Sequence, residues 1–172
     1  AAVSYYAEEG IPAEAVKEYL MNIANSTFEN WRRANPDKSM DEFQLQLNKM
    51  SVSGALFDMV KLLDVSKTVI SKMSAEEVYE NALKWASKYD KELADILKDK
   101  EYALKVFGIE RGNKKPRKDI SKWSDVKENV EYMYNELFDK NEEEYPFQVI
   151  NDKESIEKIL KLYVEKYYDE ND

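Results

Sequence analysis

The 172-residue chain carries neither cysteine nor histidine, and 35 acidic against 26 basic residues leave a formal charge of −9. That composition excludes disulfide scaffolds, thiolate zinc sites, Cys/His nucleophile pairs and Ser-His-Asp triads, and any nucleic-acid contact must rest on local patches because overall attraction to a polyanion is absent. No run approaches the roughly 18 apolar residues of a membrane span, and the amino end lacks a basic export signal, so a soluble, cytoplasmic protein without a membrane partner is expected.

Four glycines and four prolines are few breakers for this length, which favours helices over strands. Pro12 opens the first helix, where its missing N–H costs nothing. Val16, Tyr19, Leu20, Ile23 and Trp31 carry helical spacing as far as Asn35-Pro36. Ser39 and Glu42 form a capping box for a short second helix with the stripe Met40, Phe43, Leu47 and Met50. Ser51-Val52-Ser53-Gly54 breaks the pattern, and Leu56 to Leu63 resumes it. Ser74 and Glu77 form another capping box, backed by Val78, Ala82, Trp85 and Tyr89.

Asp90 to Leu97 and Asp99 to Phe107 read as two short helices. Arg111, Lys114, Lys115, Arg117 and Lys118 then crowd into eight residues, kept non-helical by Gly112 and Pro116. Trp123, Val126, Val130, Met133 and Leu137 make a regular stripe. An acidic break at Glu142-Glu143-Glu144 follows, and Ile156, Ile159, Leu160, Tyr163 and Tyr167 line the last helix. The expected class is all-α: a bundle of about seven to nine helices with little or no sheet, Phe147 to Ile150 being the one candidate strand. No 20–50-residue period repeats, so a solenoid is not expected.

No phosphate-cradling glycine loop occurs. Lys49-Met50-Ser51-Val52-Ser53 matches four of five positions of the KMSKS signature of class I synthetases, but Val52 replaces its second lysine. The simpler reading is a helix stripe closed by Met50 and a turn after it. Paired carboxylates such as Glu8-Glu9 and Glu76-Glu77 read as solvated faces or caps. The tyrosines fall on or near apolar stripes and read as core edges rather than base-stacking platforms.

Three blocks carry a family resemblance. Glu9-Gly10-Ile11-Pro12-Ala13-Glu14-Ala15 with Tyr19-Leu20 resembles the stretch after the KMSKS loop of bacterial glutamyl-tRNA synthetases, commonly close to "EGYLPEALLNYL". Ser51 to Asp58 with Lys61-Leu62 looks like the family's "SKSPARFDPKKL", and Ser74-Ala75-Glu76-Glu77 like its "LSPEEL" helix start. Ile109-Glu110-Arg111 and Pro116-Arg117-Lys118-Asp119-Ile120 look like one bacterial branch. The chain departs from the pattern at Asn22 to Ser26, where "LALLGWS" is usual.

The resemblance implies a C-terminal fragment downstream of KMSKS, in an enzyme that attaches glutamate to tRNA using ATP and magnesium. Residues 1–73 would form the helical stem-contact segment and 74–172 the anticodon-binding domain, truncated at its C-terminal end. The implied partners are glutamate-specific tRNA and an upstream catalytic domain of the same chain. The fragment itself would hold no cofactor, metal or catalytic residue and would be inactive alone. The candidate tRNA contacts are Arg111, Lys114, Lys115, Arg117 and Lys118 on the basic loop, Arg32 and Arg33 at a helix end, and Lys61, Lys67 and Lys72. The bland alternatives are a solvated loop and dipole-complementing cations. The competing function is an acidic helical protein–protein interaction module without RNA binding.

Overall fold

The computed structural model describes residues 2–50, 56–138 and 152–169. Among these, nine α-helices and four single 3-10 turns account for the regular structure, and the sole extended pairing is an antiparallel bridge between Asn25 and Met50. The chain is all-α, as expected. It divides into two compact units, Ala1–Phe138 and Asp139–Asp172. The Ser51 to Gly54 turn, the acidic break and Phe147 to Ile150 lie outside the described residues.

In the first unit, α1 (Val3–Glu9) ends at Gly10, whose φ of 81° closes a left-handed cap: its N–H and that of Ile11 bond to Ala7 O and Tyr6 O. Pro12 stands just before α2 (Ala13–Ala24). Ala15 and Tyr19 on α2 and Leu62 on α4 (Met59–Ser71) are fully buried, and with Ile11 they form the first apolar cluster. Asp58 caps α4, accepting from the N–H groups of Val60 and Lys61, and donates its own N–H to the buried Tyr19 hydroxyl at 2.6 Å.

The second cluster lies beneath α5 (Ala75–Tyr89), α6 (Lys91–Ile96) and α7 (Lys100–Gly108). Ala82, Ala86 and Ala103 are buried, and these small side chains let the helix backbones approach closely. Asp90 and Asp99 cap α6 and α7 through Leu93 N–H and Tyr102 N–H. Ile120, Trp123, Val126 and Val130 complete the cluster. The two clusters are fastened together around α1. Trp123 N–H donates to Gly10 O at 2.8 Å, Ser124 Oγ to Glu9 O at 2.8 Å and Trp85 Nε1 to Glu8 O at 3.0 Å. Lys122 pairs with Glu9 at 2.6 Å, and the buried Ser66 hydroxyl donates to Ser121 O at 2.6 Å.

Three expected helices are shorter than their stripes. The first breaks at Asn25, and the chain resumes as α3 (Phe28–Ala34). The second reduces to turns at Met40–Glu42 and Leu47–Lys49. Phe43 leaves the turn extended to meet Phe28 edge-on, with ring centroids 5.0 Å apart, and Leu47 stays exposed, so no buried face repays further helix nucleation. The third holds only α8 (Val126–Val130) between turns at Trp123–Asp125 and Glu131–Met133. It ends where Tyr134 becomes extended and packs at 90° against Tyr102. Leu20, expected in the core, is exposed. In the second unit, α9 (Lys153–Lys166) is capped by Asp152 and carries a Lys161–Glu157 pair at 2.7 Å.

The capping box of α5 forms as expected. Ser74 N–H donates to Glu77 at 2.7 Å, and Glu77 N–H to Ser74 Oγ at 3.2 Å. The backbone bond, then the hydroxyl, hold the Glu77 carboxyl below its ordinary 4.5. With the folded-state value beneath the unfolded one, this stabilisation is present above the ordinary glutamate range and is lost as pH falls through the depressed value. Glu77→Ala should therefore lower the melting temperature at neutral pH. That gap should close in acid; a gap that widens on acidification would contradict it.

Candidate nucleic-acid interface

After α7, positive φ angles at Glu110 (55°) and Gly112 (84°) turn the chain sharply into the basic loop. The structure gives the five loop cations different tasks. Arg111, half-buried, donates from Nε to Phe107 O at 2.9 Å, and from Nη1 to Ile70 O at 2.9 Å and Met73 O at 3.2 Å. It fastens the carboxyl end of α7 to that of α4. Burial lowers its pKa, with Asp119 opposing the effect. Arg117 pairs with Asp119; burial pulls it down, but Asp119 and Tyr132 more than offset this and its pKa is raised. Lys118 Nζ donates to Thr68 Oγ1 on α4 at 3.1 Å. Lys114 and Lys115 are exposed at the tip and have no partner among the described residues.

On α4, Lys61, Thr68 and Lys72 follow helical spacing and share one face, to which Lys118 is thereby brought. Lys67 lies roughly 120° around the helix from that face. Lys61 and Lys67 have no partner among the described residues, whereas Lys72 donates to Pro36 O. Lys72, Lys114 and Arg111 line an open groove of ≈ 750 Å³ together with Asp37, Glu77 and Pro116.

Arg32 and Arg33, neighbours in sequence, differ in role. Arg32 lies over the rings of Trp31 and Phe28, at 5.2 and 5.7 Å, and donates to Asn35 O at 3.2 Å and Lys38 O at 2.6 Å. Its Nε sits 3.0 Å from Glu18, an ion pair by distance whose N–H is not aligned for a hydrogen bond. It staples the end of α3. Arg33 is exposed in a 3.3 Å pair with Glu29, an arrangement worth little in water.

The sequence reading thus grouped two classes of cation. Among the described residues Lys61, Lys114, Lys115 and Arg33 are exposed without a strong internal tie and Lys67 is half-buried without a partner, whereas Arg32, Lys72, Arg111, Arg117 and Lys118 are engaged with the protein. It also missed Thr68, the acceptor for Lys118, because a threonine inside a helix carries no local signal. Lys49, of the KMSKS-like stretch, gives its carbonyl to Ser26 N–H at 3.2 Å. Among the described residues no group of three or more carboxylates could hold a metal, and no helix is long and apolar enough to cross a membrane.

Comparison with known proteins finds relatives along almost the whole chain. It is 49% identical over 170 residues, 96% of its length, to 31% of a glutamate–tRNA ligase of Clostridium perfringens strain 13. A glutamate–tRNA ligase of Acetivibrio thermocellus is 46% identical over 171 residues, 99% of this chain and 31% of that protein. One from Sorangium cellulosum is 51% identical over 139 residues, 80% of this chain and 24% of that protein. The chain therefore spans less than a third of the length of the curated relatives it matches. No family model and no solved structure matches.

Proposed function

The chain belongs to the glutamate–tRNA ligase family, and from that premise we propose that it is the helical tRNA-contacting part of such an enzyme. Residues 1–73 would hold the acceptor-side stem and residues 74–172 the anticodon side. ATP, magnesium and glutamate would be handled by an upstream catalytic portion. The reading is carried by a single observation: a basic loop whose tip, Lys114 and Lys115, is exposed and, among the described residues, unpaired, on an otherwise acidic chain that resembles these ligases along nearly its whole length. Lys61, the half-buried Lys67 and Arg33, which is held only in an exposed pair with Glu29, extend this positive surface, and the engaged cations shape it.

Electrostatic phosphate contacts release counterions, and each one steepens the salt dependence by about 0.7–0.9 in the log–log slope. With two to four such contacts, the 172-residue chain should bind a glutamate tRNA transcript weakly, with a slope of about −1.4 to −3.6. Fluorescence anisotropy across a salt series measures this. Salt-independent binding, or none at the lowest salt, would favour the protein–protein module instead. Glutamate-dependent pyrophosphate exchange by the same protein is expected to be absent.

A further inference from the structure

We propose that Arg111 is a positioning residue: it pins the loop of residues 109–118 onto two helix ends so that Lys114 and Lys115 meet RNA phosphates as a preset pair, and it makes no RNA contact itself. The proposal rests on the tRNA-binding reading above and names how that surface is built.

The last turn of a helix leaves carbonyl oxygens without intrahelical partners, and these carry the negative end of the helix dipole. Ile70 O belongs to the last turn of α4, Met73 O lies just beyond it and Phe107 O belongs to the last turn of α7. The Arg111 guanidinium reaches all three, at 2.9, 3.2 and 2.9 Å. A planar fork with fixed donor directions can bridge acceptors on two helices at once; an ammonium has one nitrogen and cannot span them. The charge of Arg111 is thus directed inward.

The far end of the loop is held separately, by Lys118 on Thr68 at 3.1 Å and by the Arg117–Asp119 pair. Between the two anchors Gly112 has φ 84° with open space around it, and Lys114 and Lys115 project from this pinned span. Such an arrangement lowers the ordering cost of each phosphate contact. If loss of one anchor leaves the loop correctly placed in a tenth of the molecules, apparent affinity falls about tenfold, while the contacts made in the bound state stay the same.

The test compares Arg111→Lys, Arg111→Gln, Thr68→Val and the double variant Lys114→Gln/Lys115→Gln in the whole chain, by anisotropy with tRNA across a salt series. Arg111→Lys keeps the charge and should still lose about as much affinity as Arg111→Gln, both with the unmodified slope. The double lysine variant should be shallower by about 1.4–1.8, two phosphates at 0.7–0.9 each. Amide hydrogen exchange should show residues 109–118 opening in both Arg111 variants.

Arg111→Lys at unmodified affinity, or Arg111→Gln with a slope shallower by about one, makes Arg111 a phosphate contact and overturns the proposal. If the Arg111 variants lose helicity, Thr68→Val decides, since it changes no charge. Weaker binding at unmodified slope supports the anchored loop, and unmodified affinity overturns it. Absence of salt-sensitive binding by the unmodified chain overturns the tRNA reading itself, and this proposal with it.

Discussion

Gly10→Ala should destabilise the first unit by about 3 kcal/mol or more, because two independent penalties fall on one atom. With φ at 81° the backbone is left-handed, which costs an L-residue about 1–2 kcal/mol. A Cβ there would also lie 2.8 Å from Trp123 N and 2.9 Å from Trp123 Cβ. The obstructing nitrogen is backbone, and its N–H is the donor to Gly10 O, so moving it breaks the bond that joins the α1–α2 turn to the second cluster. Gly112→Ala is the internal control. Its φ is 84°, but nothing lies within 4 Å of an added Cβ, so it should lose only the conformational part, about 1–2 kcal/mol. Urea denaturation followed by circular dichroism measures both. Equal losses would mean that the turn yields readily and that its contact with Trp123 contributes little.

Asn25→Leu should cost about 3 kcal/mol, from lost hydrogen bonds rather than lost volume. Asn25 is fully buried. Its Nδ2 donates to Gln46 O at 3.1 Å, and its Oδ1 accepts from Thr27 N–H at 3.2 Å and from the Thr27 hydroxyl at 2.7 Å. A leucine of similar size leaves three polar groups to find water or go unpaired, at about 1–3 kcal/mol for each that stays buried. Asn25→Asp should be damaging too, since it loses the donor to Gln46 and buries a charge. A loss below about 1 kcal/mol for Asn25→Leu would show that the segment before Met50 can re-solvate without unfolding.

Asn25 also marks where the sequence misleads. The stripe from Val16 to Trp31 keeps helical spacing across the break, because Val16, Tyr19 and Ile23 before it and Trp31 after it face apolar neighbours, Leu20 being the exposed exception. An apolar period reports which way side chains face, not whether the backbone between them stays hydrogen-bonded. The buried asparagine that ends α2 finds its partner at Gln46, 21 residues away, and nothing local announces it. The stripe after Trp123 misleads for the same reason, through the meeting of Tyr134 and Tyr102. Where the signal is local it held: the two capping boxes form, and Asp90 and Asp99 start their helices. The basic loop was legible as a cluster of charge. Its division into anchors and free tips was not, since what separates Arg111 from Lys114 is the nearness of α4, whose last turn lies about 40 residues earlier.

The seam around Gly10 gives the protein a built-in optical gauge. Two of its three tryptophans meet the α1–α2 turn: Trp85 through its indole N–H to Glu8 O, and Trp123 through its backbone N–H to Gly10 O. The third, Trp31, sits apart beneath Arg32 beside Phe28 and Phe43. Release of the turn would free the Trp85 indole N–H from Glu8 O while leaving Trp31 in place. Emission from a Trp31→Phe protein would then follow the seating of α1 directly, separately from the melting of the helices.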